Sequence, residues 1–261
     1  MDASWNIQTL SPFGIVVRSL SHDTTPTVVP TSLLKELIDE HRFLVLKGFA
    51  PLNGPALPNF CQTLGELLEW EFGAVNNLQV DPQAKNYLYT NREVPFHWDG
   101  AFLHRAPHYI FFHCDVAPKA TSGGETLFCD TIRLLDQAPL ELQKLWDQIV
   151  ITYTTEKVVH YGGTFSSPLI CSHPVTGSRV LRYAEPVEDL NPVQLSIAGI
   201  SKEEQPAFID DMHLRLNDES CCYSYQWESG DMLIADNHAL LHGRRAFAEQ
   251  AERHIRRVNI L

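Results

Sequence analysis

The feature that most constrains the fold is a series of short apolar segments of strand length through the middle and C-terminal parts of the chain. They recur at roughly 8–20 residue spacing, and few helical patterns separate them. Such spacing without βαβ alternation favours an antiparallel sandwich or barrel over a doubly wound sheet. The predicted strands are His108 to Val116, Glu125 to Cys129, Ile149 to Tyr153, the hairpin around Gly177, and the later segments YSYQW, DMLIAD and HIRRVNI.

Helices are predicted mainly near the start of the chain. Apolar residues recur at helical spacing from Thr31 to His41 and from Pro58 to Leu68, and the buried strand FLVLKGF lies between them. A later helix is predicted to start at Ser201, because Ser201 and Glu204 have the spacing of a capping box. Residues 72–92 are polar and rich in turn formers, which predicts a loop or mobile lid. The predicted fold is therefore mainly β with flanking helices.

The composition excludes several classes of protein. The formal net charge of −12 disfavours a nucleic-acid partner, since nucleic-acid binders present a basic face. No apolar run approaches the ~20 residues of a membrane span, and no basic region precedes an apolar core at the N-terminus. We therefore expect a cytoplasmic protein without a membrane partner. Six scattered cysteines without CxxC spacing are expected to be unpaired, and no linker divides residues 1–261, which we expect to form one domain.

Two polar side chains stand out in the apolar segment VPFHWDGAF. His97 and Asp99 are two residues apart, so a strand presents both on one face as half of a site for a divalent metal. Alone, the pair is better explained by a hydrogen bond inside a protein core. His242 adds a third ligand, because it follows the predicted strand MLIAD and a turn. Two histidines and one carboxylate form the facial set that leaves three positions open on non-haem Fe(II).

The blocks HWD, GGETLF and ADNHALLHGRRAF, followed by RHIRRVNI, resemble the taurine-dioxygenase-type family of Fe(II)/2-oxoglutarate oxygenases. The resemblance runs from about Leu44 to the C-terminus. It implies a double-stranded β-helix, or jelly roll, with surrounding helices. It also implies Fe(II) as the metal, 2-oxoglutarate as the cosubstrate and O₂ as a reactant, with catalysis carried by the metal ligands alone.

The family resemblance also assigns the residues that bind the cosubstrate. In the family, a threonine after a Gly-Gly turn and an arginine eleven residues beyond the distal histidine hold the distal carboxylate of 2-oxoglutarate. Thr126 and Arg253 occupy those places here, and Arg257 occupies a family position near the cosubstrate and the primary substrate. A guanidinium suits the task, because it offers a carboxylate two parallel hydrogen bonds and keeps its charge. The alternative for these arginines is a solvated basic strand end.

A closer resemblance points to the PvcB-type oxygenases of isonitrile biosynthesis. It rests on FGAV, VPFHWDGAF, FFHCDVAP, SGGETLF, VLRYAEP and ADNHALLHGRRAF, which together span most of the chain. This resemblance implies oxidative desaturation of an amino-acid isonitrile, typically the tyrosine derivative, to a vinyl isonitrile, with or without loss of the carboxylate. The enzyme would belong to secondary metabolism. The sequence does not fix the oligomeric state and is compatible with a homo-oligomer.

Four residues are predicted to contact the primary substrate. Arg182, in VLRYAEP, would place a cation in an apolar pocket and pair with the substrate carboxylate. The competing interpretation is an exposed edge-strand arginine paired to a surface glutamate. Phe72 and Phe102 are predicted to wall an aromatic substrate, although plain core packing explains them equally. His160 could line the pocket or lie in a surface loop.

Three other functions remain open at this stage. A zinc site could use the same three ligands, but zinc hydrolases have no need of Thr126 and Arg253. A taurine-dioxygenase-like hydroxylase of a small sulfonate or amino acid would keep the chemistry and change the substrate. A non-catalytic metal-binding jelly-roll protein is the third, and the complete ligand set argues against it. Halogenation is disfavoured, because the related halogenases lack the carboxylate ligand that Asp99 provides.

Overall fold

The computed structural model describes residues 4–103, 105–158 and 161–261, and β-strands dominate it. Five α-helices are present in this part of the chain: α1 (Thr31–His41), α2 (Ala56–Gln62), α3 (Thr131–Gln137), α4 (Leu140–Trp146) and α5 (Gln205–Leu216). The strands are β1 (Trp5–Thr9), β2 (Ile15–Ser19), β3 (Phe43–Lys47), β4 (Val75–Leu78), β5 (Val94–His97), β6 (Tyr109–Val116), β7 (Thr126–Asp130), β8 (Val150–Val158), β9 (Tyr161–Pro168), β10 (Ile170–Ser172), β11 (Arg179–Leu181), β12 (Gln194–Ala198), β13 (Cys222–Tyr225), β14 (Met232–Asp236), β15 (Leu240–Arg244) and β16 (His254–Ile260).

Two sheets form the centre of the molecule. A seven-stranded sheet has the order β1-β2-β3-β14-β6-β16-β4, and a four-stranded sheet has the order β13-β7-β15-β5. Neighbouring strands are antiparallel except for β2 and β3, which are parallel. Side chains that alternate inward from both sheets, such as Phe112, Leu233 and Phe128, form one apolar cluster between them. The architecture is the jelly roll that the family resemblance implies.

Helices cover the outer faces of both sheets. The apolar stripe of α1, with Leu34 and Ile38, and the buried side of α2 pack on the seven-stranded sheet. The four-stranded sheet is covered by α3, α5 and a smaller sheet with the order β12-β8-β9. Two buried layers therefore enclose the sandwich interior and hold its strands in fixed register. Among the described residues, no helix has the length and apolar character needed to cross a membrane.

Three predicted elements differ in the structure. Within the predicted loop 72–92, residues Val75–Leu78 form β4 and pair with β16. The two consecutive asparagines of VNNL interrupt the alternation of apolar and polar residues that would predict a strand. The helix predicted from Pro58 to Leu68 ends at Gln62, since the chain turns so that the Leu68 N–H can bond the carbonyl of Asn259.

The third difference lies at the start of α5, which begins at Gln205 rather than at Ser201. Both the N–H and the hydroxyl of Ser201 donate to the Glu204 carboxylate, at 2.8 and 2.7 Å. The predicted contact between these two residues is therefore present. It closes a turn that precedes the helix instead of capping its first residue.

Candidate active site

The three predicted metal ligands come together between the two sheets. Strands β5 and β15 are neighbours, and their register sets His97 directly opposite His242. His97 Nε2 lies 3.6 Å from Asp99 Oδ1, and His242 Nε2 lies 3.8 Å from the same oxygen. These separations suit one transition-metal ion held by bonds of about 2.1 Å. The residues predicted from strand periodicity thus form a ready metal-binding cluster, which we call the ligand cluster.

A hydrogen bond leaves the coordinating atom of His97 free, and burial keeps His242 neutral. His97 Nδ1–H donates to the carbonyl oxygen of Pro95 at 2.9 Å, so Nε2 carries the lone pair and faces Asp99. Burial, together with the nearby His97 ring, lowers the pKa of His242 to about 3. His242 is therefore neutral at physiological pH, the state in which an imidazole binds a metal.

The Asp99 carboxylate is held from the seven-stranded sheet. Arg257 Nη1 lies 3.1 Å from Oδ1 and 3.0 Å from Oδ2, and Asn259 Nδ2 donates to Oδ2 at 2.7 Å. Burial alone would raise the pKa of Asp99, but the Arg257 charge and the two histidines outweigh it and hold the pKa well below its usual range. Asp99 is thus an oriented anion, with Oδ1 toward the histidines.

The backbone around Asp99 is held by a residue that the sequence analysis did not single out. Asn237 Oδ1 accepts the Asp99 N–H at 2.8 Å, and its Nδ2 donates to the carbonyls of Asp99 and Pro107, each at 2.9 Å. Three hydrogen bonds from one side chain fix the loop that carries the carboxylate ligand. Its position in ADNHALLH, five residues before His242, is the only sequence signal for this role.

A cavity of about 370 Å³, including the space that opens to solvent, adjoins the ligand cluster on the inner side of the sandwich. His97, His242, Thr126 and Arg253 all line it. Burial lowers the pKa of Arg253 to about 10, and its Nε donates to the Gly124 carbonyl at 3.3 Å. Among the described residues, no carboxylate forms an ion pair with this buried guanidinium. An anionic ligand such as a dicarboxylate would supply the missing counter-charge.

Thr126 is oriented to donate into the same cavity. Its Oγ accepts a hydrogen bond from Trp227 Nε1 at 2.8 Å, and both side chains are buried. The hydroxyl proton is then available to a cosubstrate carboxylate, because an indole N–H can only donate. The geometry fits a dicarboxylate held between Thr126 and Arg253 beside the ligand cluster.

Arg244 lines this cavity too, although the sequence analysis did not predict it. Its Nη atoms donate to the carbonyls of Leu88, Thr90 and Arg92, at 3.1, 2.7 and 2.6 Å. Arg244 therefore ties the predicted lid segment to β15. Its place two residues after His242, in HGRR, is the only sequence signal, and the three partners lie more than 150 residues away in the chain.

A larger cavity, of about 870 Å³ including the space that opens to solvent, meets the ligand cluster at His97 and Asp99. The residues that line it are mostly apolar, and six of them are aromatic. The aromatic lining residues are Trp70, Tyr87, Phe96, Trp98, Phe102 and Tyr153. A cavity of this size and character suits a substrate with an aromatic ring, and it opens onto the site where the metal would lie.

The structure places the four predicted substrate residues in different environments. Phe102 lines the larger cavity. Phe72 does not line it; its ring is half exposed and stacks on Trp70, with 6.2 Å between centroids. His160 lies outside the described residues. Contrary to the prediction, Phe72 therefore does not form part of the wall of this cavity.

Arg182 lies behind the cavity wall and is neither in the pocket nor at the surface. Its side chain is buried, with the guanidinium 5.6 Å from the Trp98 ring centroid. Nη1 donates to the Asn237 carbonyl at 3.0 Å, and Nη2 contacts His238 Nδ1. The arginine therefore supports Trp98 and the turn that follows β14. Both predicted roles, carboxylate partner and exposed edge arginine, fail because its interactions come from residues distant in sequence.

A second cluster with the same composition lies nearby. His108, His173 and Asp236 place ligand-type atoms within 4.8 Å of one another. His173 Nε2 lies 2.9 Å from Asp236 Oδ2, and both residues are almost fully buried. We call these three residues the support cluster.

Comparison with known proteins agrees with this geometry. The family model described as "Taurine catabolism dioxygenase TauD, TfdA family" matches residues 18–259. The chain is 43% identical over 263 residues to a 3-((Z)-2-isocyanoethenyl)-1H-indole synthase of Fischerella ambigua, with 99% of this chain and 96% of that protein covered. It is 35% identical to a tyrosine isonitrile desaturase of Pseudomonas aeruginosa, with 89% and 81% covered.

A solved structure of PvcB from Pseudomonas aeruginosa superposes with a TM-score of 0.85 and 31% identity, covering 100% of this chain and 92% of that one. A second PvcB structure, described as an Fe, alpha-ketoglutarate dependent oxygenase from an isonitrile synthetic pathway, gives a TM-score of 0.83. The predicted double-stranded β-helix is thereby confirmed. The chain belongs to the taurine catabolism dioxygenase TauD, TfdA family and is an Fe(II)- and 2-oxoglutarate-dependent dioxygenase.

Proposed function

We propose that this protein oxidatively desaturates an aromatic amino-acid isonitrile, derived from tyrosine or tryptophan, to a vinyl isonitrile. The observation that carries the proposal is the aromatic-lined cavity that opens directly onto His97 and Asp99. Relatives that share most of this chain's length are named for isonitriles bearing an indole or a tyrosine ring. The reaction belongs to secondary metabolism.

His97 Nε2, His242 Nε2 and Asp99 Oδ1 would hold Fe(II) on one face. With 2-oxoglutarate and O₂ bound, the iron supplies the oxidising power that removes hydrogen from the substrate. The substrate is oxidised by two electrons. It loses two hydrogens, while 2-oxoglutarate and O₂ become succinate, CO₂ and water. In the decarboxylating version, the substrate loses one hydrogen and its carboxylate as CO₂, and a proton from solvent completes the water.

The chain's own residues position the two organic reactants. Arg253 and Thr126 hold the distal carboxylate of 2-oxoglutarate in the smaller cavity, and the apolar walls of the larger cavity bind the aromatic ring and exclude water. Arg257 lines both cavities and keeps Asp99 oriented at their junction. A small sulfonate such as taurine would leave the aromatic walls unfilled, which disfavours the hydroxylase alternative.

We place this reaction in the cytoplasm. All six cysteines are unpaired in the structure, and four of them are buried. Reduced thiols of this kind are characteristic of proteins in a reducing compartment. The substrate and O₂ are small molecules that reach the site by diffusion.

The decisive assay incubates the protein anaerobically with Fe(II), 2-oxoglutarate and either the tyrosine or the tryptophan isonitrile, then admits O₂. Mass spectrometry should show a product two hydrogens lighter, or lighter by the elements of formic acid if the carboxylate leaves, with one succinate formed per product. The control is His242→Ala, which keeps the aromatic cavity and removes a ligand. Succinate formation with taurine but with neither isonitrile would contradict the proposal.

A further inference from the structure

Glu185 is a buried acidic side chain at the free edge of the four-stranded sheet. Strand β5 pairs with β15 on one side only. On the other side, Glu185 N–H donates to the Phe96 carbonyl at 2.9 Å, and Glu185 Oε2 accepts the Phe96 N–H at 2.8 Å. Glu185 thus satisfies the edge of the strand that carries His97, and its position is fixed by the backbone.

Glu185 also lines the larger cavity. Among the described residues that line this cavity, Glu185 and the metal ligand Asp99 are the only acids. Oε1 is 2.7 Å from His213 Nδ1, so each oxygen has one hydrogen-bond partner. A carboxylate oxygen accepts two, which leaves capacity on both atoms. The remaining acceptor capacity of this carboxylate can take a hydrogen bond from a donor group on a bound ligand.

We propose that Glu185 accepts a hydrogen bond from the ring O–H or N–H of the substrate, and so selects aromatic rings that carry such a donor. The inference rests on the proposed function and specifies how the ring is recognised. The two rings named for the relatives, phenol and indole, differ in size and shape but share a polar hydrogen on the ring. A single fixed acceptor accounts for a preference that is common to both.

The same charge orients the substrate. A negative Glu185 repels the substrate carboxylate, so the amino-acid end lies away from Glu185 and the ring end lies against it. Phenylalanine isonitrile has the same amino-acid end but no polar ring hydrogen. Binding it would desolvate Glu185 without a replacement bond, which predicts discrimination of about tenfold or more.

The test compares kcat/KM for tyrosine isonitrile with that for phenylalanine isonitrile in the wild type and in Glu185→Gln. The amide can still accept the Phe96 N–H but carries no charge. We expect the wild type to prefer the tyrosine derivative by about tenfold or more, and the variant to shrink this preference to about threefold or less. The matched control is His213→Ala, which removes the half-exposed partner outside the cavity and should keep the preference.

A substrate-side experiment avoids any problem with folding of the variant. O-methyltyrosine isonitrile and N-methyltryptophan isonitrile remove the donor while the wild-type protein stays intact, and each should react about tenfold less efficiently than its parent. An unchanged tyrosine-to-phenylalanine ratio in Glu185→Gln, or equal rates for parent and methylated substrates, overturns the proposal. Failure of the wild type to turn over any aromatic isonitrile would instead overturn the proposed function itself.

Discussion

The ligand cluster and the support cluster contain the same residue types at similar separations, yet their hydrogen bonds differ. Each has two histidines and one aspartate with ligand-type atoms within 4.8 Å of one another. In the ligand cluster, His97 donates its Nδ1 proton to a backbone carbonyl and keeps the Nε2 lone pair for a metal. Proximity is therefore common to both clusters, and what separates them is which lone pairs remain free.

In the support cluster the coordinating atom of His173 is already used. Its Nδ1 accepts the backbone N–H groups of Val175 and Thr176, each at 3.2 Å. The ring proton must then lie on Nε2, which donates to Asp236 Oδ2 at 2.9 Å. His173 offers no lone pair to an ion. The tautomer, set by neighbouring backbone groups, therefore decides between a metal ligand and a structural histidine.

The support cluster nevertheless serves the site indirectly. Asp236 Oδ1 accepts the N–H groups of His238 and Ala239, at 2.8 and 3.1 Å, which fixes the turn after β14. That turn contains Asn237, whose side chain holds the backbone of Asp99.

Substitution of a metal ligand should have the largest effect. His97→Ala, Asp99→Ala and His242→Ala each remove one of three ligands, so iron affinity and geometry are lost together. We expect iron affinity to fall by more than the roughly 10–100-fold typical of losing a supporting contact. Succinate release should fall to the background without enzyme. Normal turnover in any of the three variants, with iron as the only added metal, would remove that residue from the ligand set.

Arg253→Lys should have the next largest effect. An ammonium keeps the charge but cannot make the paired contact of a guanidinium, which costs on the order of 2–3 kcal/mol of cosubstrate binding. The KM for 2-oxoglutarate should rise far more than the KM for the isonitrile. Arg256→Lys is the matched control, because Arg256 pairs with Asp115 and does not line the cavity. Equal 2-oxoglutarate KM values in the two variants would refute the role of Arg253.

Thr126→Val should have a smaller effect of the same kind. The variant keeps the shape of the side chain but loses one hydrogen bond to a charged group, worth about 1.5 kcal/mol or tenfold in the KM for 2-oxoglutarate. Thr126→Ser retains the hydroxyl and should stay near the wild-type value. A Ser variant as impaired as the Val variant would show that packing against Trp227, rather than the hydroxyl, is responsible.

His173→Asn should have the smallest effect on iron stoichiometry. The Asn oxygen can replace Nδ1 as acceptor for the turn, but Asp236 Oδ2 loses its buried partner. We expect the free energy of unfolding to fall by about 3 kcal/mol, measured by urea denaturation. The folded variant should still bind one iron. A change in the number of irons bound would mean that the support cluster takes part in metal binding.

Local sequence patterns predicted the parts of the site that depend on local geometry. Strand periodicity selected His97 and Asp99 as a pair, although β5 ends at His97 and Asp99 lies in the turn that follows it. A strand followed by a turn placed His242 opposite His97. The fold class was predicted from the spacing of strands. The roles of Thr126 and Arg253 come from the family resemblance and remain predictions, with both residues lining the smaller cavity.

The remaining parts depend on contacts between distant segments. Asn237 and Glu185 act through backbone groups of residues 138 and 89 positions away, which no periodicity encodes. Arg182 was assigned to the pocket because the matching strand position in taurine-dioxygenase relatives lines the substrate pocket, but the structure turns its side chain onto Trp98. The strand β4 was not predicted because one of its two buried residues is the polar Asn76, whose Oδ1 accepts a hydrogen bond from the Tyr89 hydroxyl.

We expect iron to bind at the ligand cluster and not at the support cluster, and one anaerobic titration distinguishes the two. Fe(II) is added anaerobically to the protein with saturating 2-oxoglutarate, and the visible metal-to-ligand charge-transfer band is followed in the wild type, His173→Asn and His97→Ala. We predict saturation at one equivalent in the first two and no band in the third. A second equivalent in the wild type that disappears in His173→Asn, or a full band in His97→Ala, would contradict the account.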